Sequence, residues 1–211
     1  MAVKIQWLGH ASFKVTGCDA VVYIDPWKLD DAPKDATIVC VSHSHYDHYS
    51  AEDIGKVSAA ETLVIGPADV AGTESNCRQL GPGQTTDCGG VKVTGVASYN
   101  PSKQFHPKAN QWLGFIIEID SMRIYYAGDT DLIDEMKQLG EVDLALLPVG
   151  GTYTMDAEDA VQAVAYIKPK CAVGYHWGDI VGTKSDAQRF AQVAECQVKL
   201  LTPGQSIEIS S

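Results

Sequence analysis

The stretch Ser42-His43-Ser44-His45-Tyr46-Asp47-His48-Tyr49 contains three histidines and one aspartate in the order His-x-His-x-Asp-His. It follows Thr37-Ile38-Val39-Cys40-Val41, a short apolar run typical of a buried strand, so the polar residues begin where that strand ends. Imidazole and carboxylate groups this close together are costly to bury without partners, and zinc and similar divalent metals bind both directly. Because side chains alternate along an extended segment, His43 and His45 face one way, and the following turn can bring Asp47 and His48 to the same cavity. The spacing therefore indicates a site for two metals.

Length and composition are typical of a globular protein. The chain has 211 residues, 45% of them hydrophobic and 20% charged, and we expect one domain over residues 1–211. Because it has neither an apolar run of roughly 20 residues nor the features of a signal peptide, we expect a cytoplasmic protein without membrane association. The six cysteines form no Cys-x-x-Cys pair, which favours small buried side chains over disulfides.

Charge and length restrict the partners. A net charge of −11 repels polyphosphates and predicts that nucleic acid is not a partner, although a metal pair could hold one small anion. A chain this short has no room for an inserted cap domain, so loops such as Ser98–Gln111 and Gly178–Lys184 must form the walls of the pocket. We therefore expect a small-molecule substrate, and assembly into a homo-oligomer stays open.

The distribution of strand and helix patterns predicts an α/β protein. A strand-rich first part gives way to alternating strands and helices, which fits two sheets packed face to face with helices outside. The predicted strands are Val3–Trp7, Ser12–Val15, Ala20–Ile24, Thr37–Val41, Thr62–Gly66, Val91–Val96, Leu113–Ile119, Arg123–Ala127, Asp143–Val149, Cys171–Tyr175 and a terminal pair formed by Val198–Leu201 and Ser206–Ile209. The predicted helices are Ala51–Val57, capped by Ser50, then Leu132–Leu139, Ala157–Ile167 and Asp186–Ala194.

The motif His43-x-His45-x-Asp47-His48 resembles that of the metallo-β-lactamase superfamily of metal-dependent hydrolases. Further stretches resemble its small single-domain branch, which includes the ascorbate-6-phosphate lactonases. These stretches are Trp7-Leu8-Gly9-His10-Ala11, Ile24-Asp25-Pro26-Trp27, Ala127-Gly128-Asp129-Thr130 and Pro148 to Met155. The resemblance implies a four-layer αββα sandwich of two mixed sheets flanked by helices.

The resemblance also implies a ligand set for two divalent ions, most simply zinc, with manganese or iron as substitutes. One metal would take His43, His45 and His106. The other would take Asp47, His48 and His176, with Asp129 between the two. A metal-bound hydroxide could then attack a small ester, lactone or phosphoester, and the residues assigned to catalysis are Asp47, Asp129 and His10.

Four of these assignments leave alternatives. The family's third histidine follows the strand equivalent to Val91–Val96, but Tyr99-Asn100 occupy that place here, so either His106 reaches back to the metal or Asn100 or water completes a weaker site. His10 could orient a ligand, contact the substrate or simply form a turn. Asp25 could fix a histidine or only precede Pro26 in a turn. Thr154 is predicted to cap a helix, with Tyr153 as a pocket wall.

Two other functions are consistent with the same residues. A mononuclear iron oxidoreductase of this fold would use similar ligands, and metal identification with an oxygen-uptake assay would distinguish it. A non-catalytic metal-binding protein is disfavoured because Asp129 is retained together with almost the full ligand set.

Overall fold

The computed structural model describes residues 2–210 and contains two seven-stranded sheets. The strands are β1 (Ala2–Gly9), β2 (Ser12–Thr16), β3 (Val21–Ile24), β4 (Ala36–Cys40), β5 (Ser58–Gly66), β6 (Cys77–Gln79), β7 (Thr85–Cys88), β8 (Val91–Ala97), β9 (Leu113–Ile119), β10 (Met122–Tyr126), β11 (Leu144–Pro148), β12 (Cys171–Tyr175), β13 (Gln197–Val198) and β14 (Ser206–Ser210). The α-helices are α1 (Ala51–Val57), α2 (Ala68–Ala71), α3 (Ala157–Ile167) and α4 (Lys184–Val193). Two 3₁₀ helices cover Lys108–Asn110 and Asp134–Gln138.

Both sheets are mixed and follow the same plan. The first has the order β14-β1-β2-β3-β4-β5-β6, antiparallel as far as β3 and parallel from β3 to β6. The second has the order β13-β12-β11-β10-β9-β8-β7, antiparallel from β7 to β10 and parallel from β10 to β13. The parallel strands of both sheets carry the helical connections, as parallel pairing requires.

Strand β4 shows how the layers arise. Ile38 and Cys40 pack into the large core that both sheets share, whereas Val39 and Val41 pack into a second cluster with residues of α1 and α2. Because Ile38 to Val41 are covered on both faces, this segment is apolar at every position, whereas Thr37 near the start of the strand is exposed. Helices α3 and α4 pack on the outer face of the second sheet, against β11 and β12. The predicted four-layer αββα sandwich is therefore confirmed.

Helix α1 begins and ends where the sequence predicts. The Ser50 side chain accepts a hydrogen bond from the Asp53 backbone N–H, and the buried Asp53 carboxylate accepts the N–H groups of Lys28 and Leu29. Burial raises the pKa of Asp53, but hydrogen bonds, first among them the one from Lys56, lower it overall. Asp53 thus ties the loop after β3 to the helix that follows the histidine motif.

Three predictions about local structure are wrong. The segment Leu132–Leu139 contains the 3₁₀ helix at Asp134–Gln138 rather than an α-helix. Asp156, not Thr154, caps α3, because its side chain accepts the Asp159 N–H while the Thr154 hydroxyl bonds to the Met155 carbonyl. The last two strands do not form a local pair, since β13 joins β12 and β14 joins β1 in the other sheet.

Burial of the cysteines was predicted correctly only for those in central strands. Cys40 and Cys171 are buried in β4 and β12, whereas Cys77, Cys88 and Cys196 are half-buried and Cys18 is exposed. Cys77 and Cys88 lie in the edge strands β6 and β7, where neighbouring strands cover one side only.

Within residues 2–210, none of the helices is both long and apolar enough to cross a membrane.

Candidate metal centre

The candidate site lies where several strands end. His10 follows β1, Asp25 follows β3, the histidine motif follows β4, Asp129 follows β10 and His176 follows β12. The carboxyl ends of parallel strands in the two facing sheets open at the same edge, where ligands commonly bind in α/β proteins. All eight residues predicted for the site converge there, and all but the half-buried His45 are buried: His10, His43, His45, Asp47, His48, His106, Asp129 and His176.

His43, His45 and His106 form the first set of donors. One ring nitrogen of each lies within 4.8 Å of the others, and His43 Nε2 is 3.1 Å from His45 Nδ1. The Trp112 ring packs beside His43 and His45, with centroids 4.9 and 4.7 Å away, and its indole N–H donates to Asp69. A fixed aromatic wall therefore limits how these two imidazoles can move.

Asn100 fixes the orientation of His106. The Asn100 Oδ1 atom accepts the His106 backbone N–H at 3.1 Å and lies 2.8 Å from His106 Nδ1, while Asn100 Nδ2 donates to the Tyr153 carbonyl. Because Oδ1 is an acceptor, His106 Nδ1 must carry the proton, which leaves the lone pair on Nε2. The loop therefore folds back as a His106 ligand requires, and Asn100 contacts His106 from behind.

His10, Asp47, His48 and His176 form the second set. His10 Nε2 lies 3.0 Å from Asp47 Oδ2, and its ring centroid is 4.1 Å from that of His176. The His176 backbone N–H donates to the His10 carbonyl, so the ends of β1 and β12 are joined directly. His10 thus contacts both a carboxylate and an imidazole of this set.

Asp129 lies between the two sets. Its Oδ2 atom is 3.4 Å from His106 Nε2 and 3.1 Å from His176 Nε2, and its Oδ1 atom is 3.2 Å from His48 Nε2. The Tyr175 hydroxyl donates to the carbonyl of Gly128, which holds the turn before Asp129 in place. The carboxylate has the position expected of a group that bridges two metals.

Asp25 is the shared support of the motif histidines. Its Oδ2 atom is 2.7 Å from His48 Nδ1 and accepts the Ser42 and Tyr126 hydroxyls at 2.6 Å each, while Oδ1 accepts the Ser42 N–H. The Ser42 oxygen in turn lies 2.9 Å from His43 Nδ1. Asp25 therefore directs the Nε2 atoms of both His43 and His48 into the centre, as carboxylates behind metal-binding histidines do.

The environment favours neutral imidazoles in the first set. Burial lowers the pKa of His43 well below its usual range and that of His106 to about 4. Burial also lowers the pKa of His48, but the carboxylates of Asp129 and Asp25 outweigh it and raise the pKa well above normal. Burial raises the pKa of Asp129, yet His176 and His48 lower it well below its usual value. The two carboxylates thus favour a positive charge at His48, which a metal ion could supply in place of a proton.

Three residues of the site have left-handed backbone conformations, with φ of 47° at His10, 44° at Asp25 and 63° at His176. Such conformations are costly for residues other than glycine and cluster at functional sites. Gly150 lies against the His176 turn, and a Cβ atom there would overlap the His176 carbonyl oxygen. The close approach of these two loops therefore requires glycine.

The donor atoms are better placed to bind metal ions than to form hydrogen bonds with one another. Several buried atoms that point into the centre have no hydrogen-bond partner among residues 2–210: His48 Nε2, His106 Nε2, His176 Nε2 and Asp129 Oδ1. Unpaired buried polar atoms are costly, and imidazole nitrogen together with carboxylate oxygen is a donor set typical of zinc. Whether these atoms bind metal, and how many ions, stays a prediction.

Sequence reasoning named Asp25 as a residue that could fix a histidine, and its carboxylate lies 2.7 Å from His48 Nδ1. It missed the other residues that contact Asp25 and the predicted ligands from behind. Ser42 lies within the motif and Tyr126 at the end of β10, and both contact Asp25, although Tyr126 is 101 residues away along the chain. Nothing in a strand pattern distinguishes Tyr126 from a core tyrosine. Asn100 was considered only as an alternative ligand, since its contact with His106 depends on how the loop folds.

The chain is similar in sequence and in fold to several known proteins. Residues 4–176 match the family model described as a beta-lactamase superfamily domain. A UPF0173 metal-dependent hydrolase from Thermococcus onnurineus is 31% identical, covering 98% of this chain and 100% of the relative, and one from Thermoplasma volcanium is 34% identical over 92% of each. A provisionally assigned metal-dependent hydrolase from Parabacteroides distasonis is 26% identical, with a TM-score of 0.83 over 94% of this chain and 92% of the other. Igni18, a metallo hydrolase from Ignicoccus hospitalis, shares the fold over the full length of both chains with a TM-score of 0.81 at 23% identity.

Proposed function

The chain belongs to the metallo-β-lactamase superfamily of metal-dependent hydrolases, and we propose that it uses two divalent ions, most simply zinc, to hydrolyse a small ester or lactone. The observation that carries the proposal is the position of Asp129, whose carboxylate lies within 3.4 Å of imidazoles from both donor sets. A carboxylate so placed can offset charge on two cations at once.

The two sets divide the ligands as follows. His43, His45 and His106 would hold one ion, and Asp47, His48 and His176 the other, with Asp129 shared. Bound ions of this kind act as Lewis acids on a carbonyl oxygen and make coordinated water acidic near neutral pH. In the overall reaction the oxygen of water bonds to the carbonyl carbon, the ester C–O bond breaks, and the leaving alcohol takes up a proton.

The remaining residues orient these ligands. Asp25 and Ser42 hold the Nδ1 atoms of His48 and His43, and Asn100 holds that of His106. His10 contributes a hydrogen bond to Asp47 Oδ2 rather than an eighth ligand. Since burial lowers the pKa of His10 and the bond to Asp47 opposes that shift only in part, we assign His10 the role of positioning Asp47.

The test is a hydrolysis screen with zinc-loaded protein. Ester, lactone and phosphodiester panels should reveal activity that a chelator abolishes and that Asp129→Ala lacks. Asp134→Ala is the matched control, because this exposed aspartate pairs with Lys137 on the surface. If Asp129→Ala, once folded, keeps its activity and its metal content, the bridging role is wrong.

A further inference from the structure

We propose that the substrate of this centre is an uncharged ester or lactone that carries a small apolar ring, and that Trp27 binds the ring in a cavity beside His10. This inference rests on the proposed hydrolytic function and adds the class of substrate.

The centre is accessible from one side. Of the eight site residues only His45 is half-exposed, and Tyr46, the next residue, is 68% exposed. The Tyr46 ring meets that of Trp27 at a centroid distance of 6.1 Å, and the Trp27 ring is 5.2 Å from that of His10. Aromatic side chains therefore extend from the entrance past Trp27 to the second donor set.

A cavity of about 290 Å³ lies behind Trp27. His10 lines it on the side of the centre. Five apolar side chains contribute to its walls, namely Trp7, Leu8, Trp27, Trp177 and Pro203, and Lys28 and Asp179 line its edge. Since an apolar cavity of roughly 150 Å³ accommodates benzene, this one has room for a six-membered ring with a short substituent. The His10 imidazole would then lie between this ring and Asp47.

Trp27 differs from the other three tryptophans. The indole N–H of Trp7 donates to the His10 carbonyl, that of Trp112 to Asp69 and that of Trp177 to the Gly174 carbonyl. The Trp27 indole N–H has no such acceptor among residues 2–210. The Lys28 ammonium lies over the Trp27 ring, 4.2 Å from its centroid. Trp27 therefore offers a ligand a hydrogen-bond donor that the fold does not use, together with an aromatic surface that it shares with Lys28.

The charges around the cavity favour an uncharged substrate. The Lys28 ammonium lies 2.9 Å from Asp179 Oδ2 at the cavity edge, and Lys103, on the His106 loop, bonds to Asp131 at 2.6 Å. Both cations are thus already neutralised. Neither cation is therefore free to pair with a phosphate group carried by a ring in the cavity.

The kinetic test compares esters that differ only in the ring. We expect zinc-loaded protein to prefer methyl phenylacetate over methyl butanoate, or benzyl acetate over butyl acetate, by about tenfold in kcat/KM. Burial of an apolar ring strengthens substrate binding by at least this factor. Benzyl phosphate should be hydrolysed far more slowly than either ring ester. Trp27→Ala should remove most of the preference and Trp27→Phe should keep it, while Tyr166→Ala, at a half-buried aromatic on α3, should leave it unchanged.

Binding provides a second measurement that needs no catalysis. In a ¹H–¹⁵N spectrum the Trp27 indole signal, identified by its loss in Trp27→Phe, should shift saturably when benzyl alcohol is added to protein with or without zinc. Butanol at the same concentrations should shift it much less, and the Trp112 signal should stay in place.

The outcomes separate the two proposals. A saturable Trp27 shift without hydrolysis of any ester would support the ring site and refute the hydrolytic function. Ester hydrolysis with no preference for the ring and no shift would refute the ring site and leave the hydrolytic function standing. Faster turnover of benzyl phosphate than of the ring esters would refute the proposal that the substrate is uncharged.

Discussion

Replacement of Asp25 by asparagine changes the support of both donor sets with a minimal change of shape. The carboxylate accepts three donors at Oδ2, from Ser42, His48 and Tyr126, and one at Oδ1, from the Ser42 backbone. An amide has only one accepting oxygen. The least costly arrangement places that oxygen at the Oδ2 position and the NH₂ group against the Ser42 N–H.

The expected cost follows from these four contacts. Loss of the charge weakens each of the three Oδ2 bonds by about 1 kcal/mol, and the buried Ser42 N–H left without an acceptor costs about 1–3 kcal/mol. The lower cost of burying an amide than a carboxylate offsets a few kcal/mol of this total. We expect the free energy of unfolding of the metal-free protein to fall by about 2 kcal/mol, or about 4–8 °C in Tm for a chain of this size.

The effect on metal affinity should be larger than this loss of stability suggests. Asp25 contacts His48 directly and His43 through Ser42, so both donor sets lose an orienting group, and zinc affinity should fall by about 10–100-fold. Competition against a chromophoric chelator at pH 7.5 measures this. The exposed Asp31 lies six residues further on, and Asp31→Asn serves as the matched control. If Asp25→Asn binds zinc within twofold of the parent while its Tm falls, Asp25 only stabilises the fold and the reasoning is wrong.

Three further predictions concern other contacts. Gly150→Ala should push the His176 turn away, lower the free energy of unfolding by about 1–3 kcal/mol and weaken metal binding. Thermal melts and chelator competition measure these two effects, and a variant with unchanged Tm would refute the close approach. His106→Ala should lose the metal of the first set, and Asn100→Ala should weaken it about 10–100-fold, as titration with zinc can measure; full affinity in Asn100→Ala would exclude the orienting role. Because the folded state lowers the pKa of Asp53, its stabilising contribution is complete above about pH 5 and is lost as the pH falls through the folded pKa. The difference in unfolding free energy between metal-free parent and Asp53→Asn should therefore shrink below about pH 4 in denaturant titrations, and a constant difference would refute it.

Local sequence signals predicted much of the fold. Helix α1 was predicted from Ser50 and Asp53 with the bounds that the structure has, because a cap and a short helix depend on neighbouring residues. The strand runs before Asp25, Asp129 and His176 were also recognisable, since buried strands of this kind are continuously apolar. The weak points were segments whose structure depends on distant partners, such as the edge strand β13, which pairs with β12, and β14, which crosses to the other sheet.

The same distinction between local signals and distant contacts applies to the residues of the site. Most of the residues predicted to bind metal follow strands and have side chains typical of metal ligands, so His43, Asp47 and the others could be proposed from the sequence. Of the residues that orient them, Asp25 and His10 were named only among alternatives. Tyr126 and the role of Asn100 were missed, because Tyr126 reaches Asp25 across the space between the sheets and Asn100 reaches His106 only once the loop has closed. These contacts depend on tertiary packing, so no periodic pattern in the sequence predicts them.

The measurement that bears most directly on the two-metal centre is metal content by elemental analysis, on protein purified without chelator and then equilibrated with zinc. We expect two zinc ions per chain in the parent, one in His106→Ala and fewer than one in Asp129→Ala, with all three proteins folded. Parent protein that retains no zinc, or His106→Ala and Asp129→Ala proteins that each retain two ions, would show that these residues do not form the proposed centre.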